Sequence, residues 1–471
     1  MRACAACVAC DAAAAAMLAA VLCAAPPAAA DENSDLNLIP GAVQQAPGEA
    51  PATPASGKLF LENAFSLYGT RGGLVVPFPP PGPVLWQNRT SLDGTYQWNL
   101  TPELTANFSD RLNLTAWNDS GFPTHKNPRN DFREGYLTWE PVTRTYVEAG
   151  RINVRNGVAL GFNPTDFFKT NTLIDTASLD PSVIREDRLG VLMLRGQTIF
   201  NGGSASFSFA PKVQNPRPLT ADISGFDPRF DRTNSTDRFL ATATFDLADL
   251  SPQALIYHEA NQTRLGLNLS RTIGQSIVAY AEWAGGVQPD LIAAAVSYGK
   301  RTGTLPPSAP LLPPSTTAET FQNQLAIGAS WTSTAKVTVN LEYHYNQAGF
   351  SPTDWRRWFA IGGAPGAPLS VTGELWYIRA YAAGVQQPLS QNEIFLRADW
   401  TDAFVTNLEL SGFSYVNLAD GSSLTQLSAA YYLSSAWTIG AYATAALGGP
   451  HTERGSLPTA HSFIVQAVRY F

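Results

Sequence analysis

The chain has 471 residues, of which 15% are charged and 11% aromatic, with 37 Gly, 34 Pro and a formal net charge of −7. Mean hydropathy is nonetheless slightly negative, so the sequence is too sparsely charged for an ordinary soluble surface and too polar for a bundle of membrane helices. Beyond the N-terminal segment nothing approaches the roughly 18 to 20 uninterrupted apolar residues of a spanning helix, and scattered basic residues under a negative balance exclude nucleic acid as a partner.

Residues 1–30 carry Arg2, an Ala-rich apolar run interrupted by Asp11, and a small-residue end at Ala28-Ala29-Ala30. That is the pattern of a secretory signal peptide, with an uncleaved anchor as the alternative. All four cysteines, Cys4, Cys7, Cys10 and Cys23, fall inside it. CAACVAC has metal-site spacing, but ligands removed with a signal bind nothing, so neither a metal nor a cofactor is expected. Residues 31–57 are rich in Pro and Ala and read as a flexible periplasmic leader.

From residue 58 to 471 a period of two takes over. In LTANFSDRLNLTA, Leu104, Ala106, Phe108, Leu112 and Leu114 oppose Thr105, Asn107, Ser109, Arg111 and Asn113; in KVTVNLEYHYN, Val337, Val339, Leu341 and Tyr343 oppose Thr338, Asn340, Glu342 and His344. Such alternation marks strands with one apolar and one polar face. Short turns are expected at Thr101-Pro102-Glu103, Val142 to Thr145, Asn201-Gly202-Gly203, Gly274-Gln275, Ser333 to Ala335 and Ser434-Ser435. Between them lie longer links at 71–83, 119–130, 157–185, 214–235, 288–319, 349–390 and 449–460, where ELWYIRAYAAG fits either an extra strand or a helix.

Short and long connections alternating along an exported chain predict an all-β fold, a transmembrane antiparallel up-and-down β-barrel of about 18 strands, within roughly 16 to 20. Tight turns would then lie on the periplasmic side of a bacterial outer membrane, with the long loops outside. Trp86, Trp98, Trp117, Trp139, Trp283, Trp331, Trp400 and Trp437 stand near strand ends, where interfacial girdles form against outer-membrane lipid. The chain finishes in HSFIVQAVRYF, which reads as the strand that closes the barrel on the one near 58–70 and removes its last open edge. Counting back from Phe471 puts Phe463 and Arg469 on the lipid side and Ile464 and Tyr470 inward.

With apolar faces toward lipid, parity sends Arg89, Arg111, Arg151, Arg155, Arg238, Arg264, Lys336 and Arg397 into the lumen, against Asp93, Asp246, Glu282, Glu342 and Asp399. Arginine suits carboxylate and phosphate because its planar fork donates two hydrogen bonds. These cations either favour anionic solutes or pair with lumenal carboxylates to stiffen the wall. The loop 157–185 carries Phe162, Phe167 and Phe168 with Asp166 and Lys169. So much apolar surface predicts that it folds inward as a constriction, the alternative being an external cap.

REGYLTWEP followed by VEAGRINVRNGVALGFNPTDFF resembles the strand pair and following loop of porin-like outer-membrane barrels, including the alginate-export type. The resemblance implies a channel or exporter of hydrophilic, anionic solutes, polysaccharide among them, with Arg151 and Arg155 matching an arginine-lined wall. It also implies that barrel-assembly machinery recognises the C-terminal strand through Phe471. An enzyme is not expected: no Gly-x-Ser-x-Gly or His-Glu-x-x-His motif is present, the five histidines are far apart, and no residue is assigned a catalytic role. The alternatives are a barrel-embedded hydrolase using His344 or His258, and a structural or adhesive barrel.

Overall fold

The computed structural model describes residues 55–80, 84–118, 127–218, 225–247 and 250–471. The signal peptide and all but the end of the leader lie outside the described residues. Period-two alternation builds β1 (Ala55–Thr70), β2 (Trp86–Thr101), β3 (Leu104–Trp117), β4 (Arg129–Val142), β5 (Thr145–Ile152) and β6 (Val191–Phe200). The sheet continues through β7 (Gly203–Ala210), β8 (Arg238–Phe245), β9 (Gln253–Glu259), β10 (Gln262–Ile273), β11 (Ile277–Gln288) and β12 (Thr320–Thr332). It is completed by β13 (Val337–Asn346), β14 (Asn392–Trp400), β15 (Leu408–Asn417), β16 (Ser423–Ser434), β17 (Trp437–Leu447) and β18 (Thr459–Tyr470).

Each strand pairs antiparallel with its sequence neighbours, and β18 pairs with β1 from Phe60↔Tyr470 to Thr70↔Thr459, so the 18-stranded sheet is a closed up-and-down barrel. The backbone N–H of Phe471 donates to Leu59 O at 3.0 Å, which seals the seam at the turn rim. β1 begins three residues before the expected 58, because Ala55, Ser56 and Gly57 pair with Trp98, Gln97 and Tyr96.

Parity sorts the side chains. Along β18, Phe463 and Val465 are exposed while Ile464 and Val468 are buried. Along β13, Leu341 is exposed while Asn340, Glu342, His344 and Asn346 are buried. The outer wall is thus an apolar belt, and a charge at its centre in a bilayer would cost about 2–4 kcal/mol. Trp86 and Trp98 mark opposite ends of β2 on that belt, both exposed. Arg469 lies at the turn rim between the rings of Trp437 (5.4 Å) and Phe471 (5.2 Å), where a long side chain reaches water.

Two features depart from strict alternation. On the loop rim, β9 and β10 are joined by residues 260–261 and β15 and β16 by 418–422, both short, whereas 246–252 and 401–407 on the turn rim are longer than the expected tight turns. Residues 349–390 form no strand but two helices.

Those helices belong to a cap built from several loops. It contains α3 (Leu291–Thr302), α4 (Pro352–Gly362) and α5 (Leu369–Gly384); the short helices α1 (Pro181–Glu186) and α2 (Phe230–Thr233) lie in other loops. The side chain of Asp290 caps α3 by accepting from Ala293 N–H at 2.7 Å, and Ser351 and Asp354 form a capping box on α4. Their apolar faces, with Val76 of the β1–β2 loop, enclose Trp358, Leu375 and Ile378, which are fully buried. Arg379 of α5 stands 4.8 to 5.4 Å from the rings of Trp355, Trp358 and Trp376. It donates to Ser456 Oγ (2.8 Å) and Glu453 O (2.7 Å) of the β17–β18 loop.

Candidate functional site

Residues 153–190, between β5 and β6, turn into the lumen and cross it. Asn153 N–H donates to Glu134 on β4 at 2.9 Å, and the chain then runs along the far wall. The Glu282 carboxylate on β11 accepts from the backbone N–H groups of Val158 (3.0 Å), Ala159 (3.1 Å) and Thr165 (2.7 Å) and from Thr165 Oγ1 (2.8 Å). Glu342 on β13 accepts from the N–H of Leu160 (2.6 Å) and Gly161 (2.9 Å) and from Tyr280 OH (2.8 Å). Gly157 has φ +95° and its Cα faces Glu282 so closely that a Cβ would lie 2.5 Å from the carboxylate oxygens, so only glycine admits this approach.

Further on, Ser178 Oγ donates to Gln426 on β16 at 3.1 Å, and Asp180 pairs with Arg397 on β14 at 2.8 Å. The return path pairs Asp187 with Arg133 at 2.7 Å, while Arg151 Nε donates to Gly190 O at 2.9 Å. The segment therefore holds opposite walls and narrows the passage. Its apolar residues explain the inward course: Phe162, Phe167 and Phe168 are all buried, and Phe167 stacks on Tyr257 with centroids 4.6 Å apart.

The charges divide into two groups. On one side Arg89 and Arg111 share Glu62 at 2.8 and 2.6 Å, Arg133 meets Asp93 at 2.5 Å, and Arg129 meets Asp131 at 3.1 Å. Arg188 grips Asp166 with two hydrogen bonds of 2.7 and 3.0 Å, and Arg397 lies between Asp180 and Asp399. On the other side, Arg151, Arg238 and Lys169 form no ion pair among the described residues, and the carboxylate nearest Arg264, that of Glu259, is 3.8 Å away. Aromatic faces take the partner's place. Phe168 lies 5.1 Å from Arg238, Phe167 and Tyr257 each 5.0 Å from Arg264, Phe162 4.5 Å from Lys169, and Phe132 and Phe230 5.7 and 5.4 Å from Arg151. A ring face attracts a cation without cancelling its charge.

Of the residues singled out by parity, Arg89, Arg111, Arg151, Arg238, Arg264, Arg397 and Glu342 stand on the inner wall, and Phe162, Asp166, Phe167, Phe168 and Lys169 meet them from the loop. Lys336 does not. It sits in the turn before β13 with φ +58°, largely exposed and paired with Asp402 at 2.7 Å, because the strand begins one residue later than the alternation suggested. Arg155 lies beyond the end of β5 on the incoming loop, about half exposed and 3.9 Å from Glu186. Asp246 is exposed in the turn after β8. Sequence reasoning misses Glu62, Arg129, Asp131 and Arg133, although RNDFREG shows the period of two of the last three; residues 119–130 read as a loop, whereas β4 begins at Arg129.

His344 is fully buried, with Nε2 2.7 Å from Glu342 and Nδ1 without a hydrogen-bond partner. Phe162, Phe395 and Tyr415 surround it, and among the described residues no hydroxyl nucleophile is hydrogen-bonded to the ring. His258 is bonded to Thr263 at 3.0 Å.

Solved outer-membrane proteins share this architecture. OccK5 (OpdH) of Pseudomonas aeruginosa superposes with a TM-score of 0.52 at 8% identity, covering 88% of this chain and 98% of that one. The fold is that of a porin. A BenF-like porin from Pseudomonas fluorescens Pf-5 matches with a TM-score of 0.50 at 10% identity over 88% of this chain and 98% of its own. No protein-family model matches the sequence, and no curated protein does.

Proposed function

We propose that this porin-fold barrel is a bacterial outer-membrane channel that passes small hydrophilic anions through the gap left by residues 153–190. The loop rim would face the cell exterior and the turn rim the periplasm. Export through a signal peptide and assembly through the C-terminal strand belong to the same reading. The closed sheet and its apolar belt support the membrane, since a barrel without edges satisfies its own backbone there. One observation carries the anion preference: Arg264, partly exposed on the wall, faces the rings of Phe167 and Tyr257 with its nearest carboxylate 3.8 Å away. Arg151, Arg238 and Lys169, buried just behind the surface without a close carboxylate, add positive potential that draws a carboxylate or phosphate toward it. The loop's reach from β4 to β16 favours small solutes over a polysaccharide chain.

Planar-bilayer recording across a salt gradient tests this. The wild type should conduct with a reversal potential on the anion side, and the Arg238→Glu, Arg264→Glu double variant should move it toward the cation side. Cation selectivity of the wild type would overturn the anion preference. A complete lack of conductance, in the wild type and in a variant deleted for 157–185, would overturn the channel itself.

A further inference from the structure

A second place suited to anions lies at the loop rim, outside the lumen wall. Where β1 runs into its loop, a cleft of about 260 Å³ is lined by Arg71, Gly72, Gly73, Leu74, Gly448 and Gly455 among others, with no acidic residue in the lining. Arg71 is held from two directions: its N–H donates to Pro458 O at 2.8 Å, and its Nη2 donates to Ala446 O. Its Nε has no hydrogen-bond partner. The next three amides, those of Gly72, Gly73 and Leu74, donate to no acceptor among the described residues. Gly73 has φ +69° in the bend at residues 72–73, and successive N–H groups in a turn can converge on one side as an anion-binding nest.

The glycines divide by role. A Cβ on Gly72 or Gly73 would meet nothing within 4 Å, whereas one on Gly448 would lie 2.4 Å from Thr452 Oγ1 and one on Gly455 2.0 Å from Gly449 O. The floor is therefore packed while the nest side is open. We propose that the Arg71-Gly72-Gly73 turn binds an oxyanion, a phosphate monoester or a carboxylate, between the guanidinium and the three free amides. Charge and donor count select against cations and neutral solutes. On the proposed orientation, with the loop rim facing outward, the site lies on the side of the outer-leaflet headgroups, so the anion comes either from a phosphate-bearing glycolipid or from free solute.

The test is equilibrium binding of inorganic phosphate to the delipidated full-length protein in detergent, followed by ³¹P NMR. Saturable binding should weaken at least tenfold in Arg71→Gln, recover in part in Arg71→Lys, and stay unchanged in Lys336→Gln, an exposed position in a turn at the opposite rim. Heat-modifiable gel mobility checks that each variant is folded. Binding lost in Arg264→Gln but retained in Arg71→Gln would place the anion in the lumen and overturn the proposal, as would failure to saturate. Total phosphorus before delipidation identifies the source. A lower value in Arg71→Gln than in the wild type points to glycolipid, and equal values point to free solute.

Discussion

Replacing Glu282 by Gln should loosen the constriction without disturbing the barrel. The carboxylate presents one oxygen to Thr165 N–H and Oγ1 and the other to the N–H groups of Val158 and Ala159. An amide keeps only one of these acceptors, and its NH₂ group points donors at two donors. Bonds to a charged acceptor contribute about 1.5–3 kcal/mol each. Losing two therefore costs about 3 kcal/mol or more, which is on the order of a hundredfold in the ratio of undocked to docked loop. Glu342 still holds Leu160 and Gly161, so the expected result is frequent partial opening rather than loss of the loop. Single-channel recording should show new, larger conductance levels, and hydrogen exchange should show faster exchange at Val158, Ala159 and Thr165. Unchanged exchange at these three amides in folded Glu282→Gln would refute the anchoring role.

Other outcomes follow from the same geometry. Arg111 is buried between Glu62 at 2.6 Å and Asp93 at 3.8 Å; Arg111→Ala leaves both acids short of a partner and should cost about 3–5 kcal/mol, lowering the temperature at which gel mobility shifts. Trp358, wholly enclosed in the cap, should cost about 3–5 kcal/mol of cap stability as Trp358→Ala, read by proteolysis of residues 350–390 with the barrel intact. Burial pushes the carboxyl of Glu374 on α5 up to about 7, against the pull of Lys300. A carboxyl raised on folding carries no penalty when protonated in both states, and the penalty grows as pH rises from the ordinary carboxylate value to about 7. Amide protection in the cap, corrected for the base-catalysed intrinsic exchange rate, should accordingly be lower at pH 8 than at pH 5, and Glu374→Gln should abolish that difference in protection.

The strands were legible because lipid and lumen impose opposite chemistry on neighbouring residues, and the period survives wherever both solvents are present. α5 was not legible for the opposite reason. Protein surrounds it on several sides, so Leu375, Trp376, Tyr377 and Ile378 are buried in succession and leave no periodicity to read. Parity placed most of the lumenal arginines but could not show which were neutralised. Arg397 pairs with Asp180 across 217 residues and Arg133 with Asp187 across 54, and such partners come from a loop whose path has no local signature. The set without an ion pair among the described residues, Arg151, Arg238 and Lys169, emerges only once that path is known.

The cap has a consequence for how the barrel is assembled. A seam between β1 and β18 slipped by two residues keeps every side chain on its proper face, so lipid and lumen alone do not distinguish it from the correct one. It would, however, displace the β1–β2 loop from the β17–β18 loop by about 7 Å. Arg71 would then miss Ala446 and Pro458, and Val76 would withdraw from the helices it packs against. The mouth of the barrel thereby acts as a vernier on its seam, since the cap closes only on a cylinder joined in the right register.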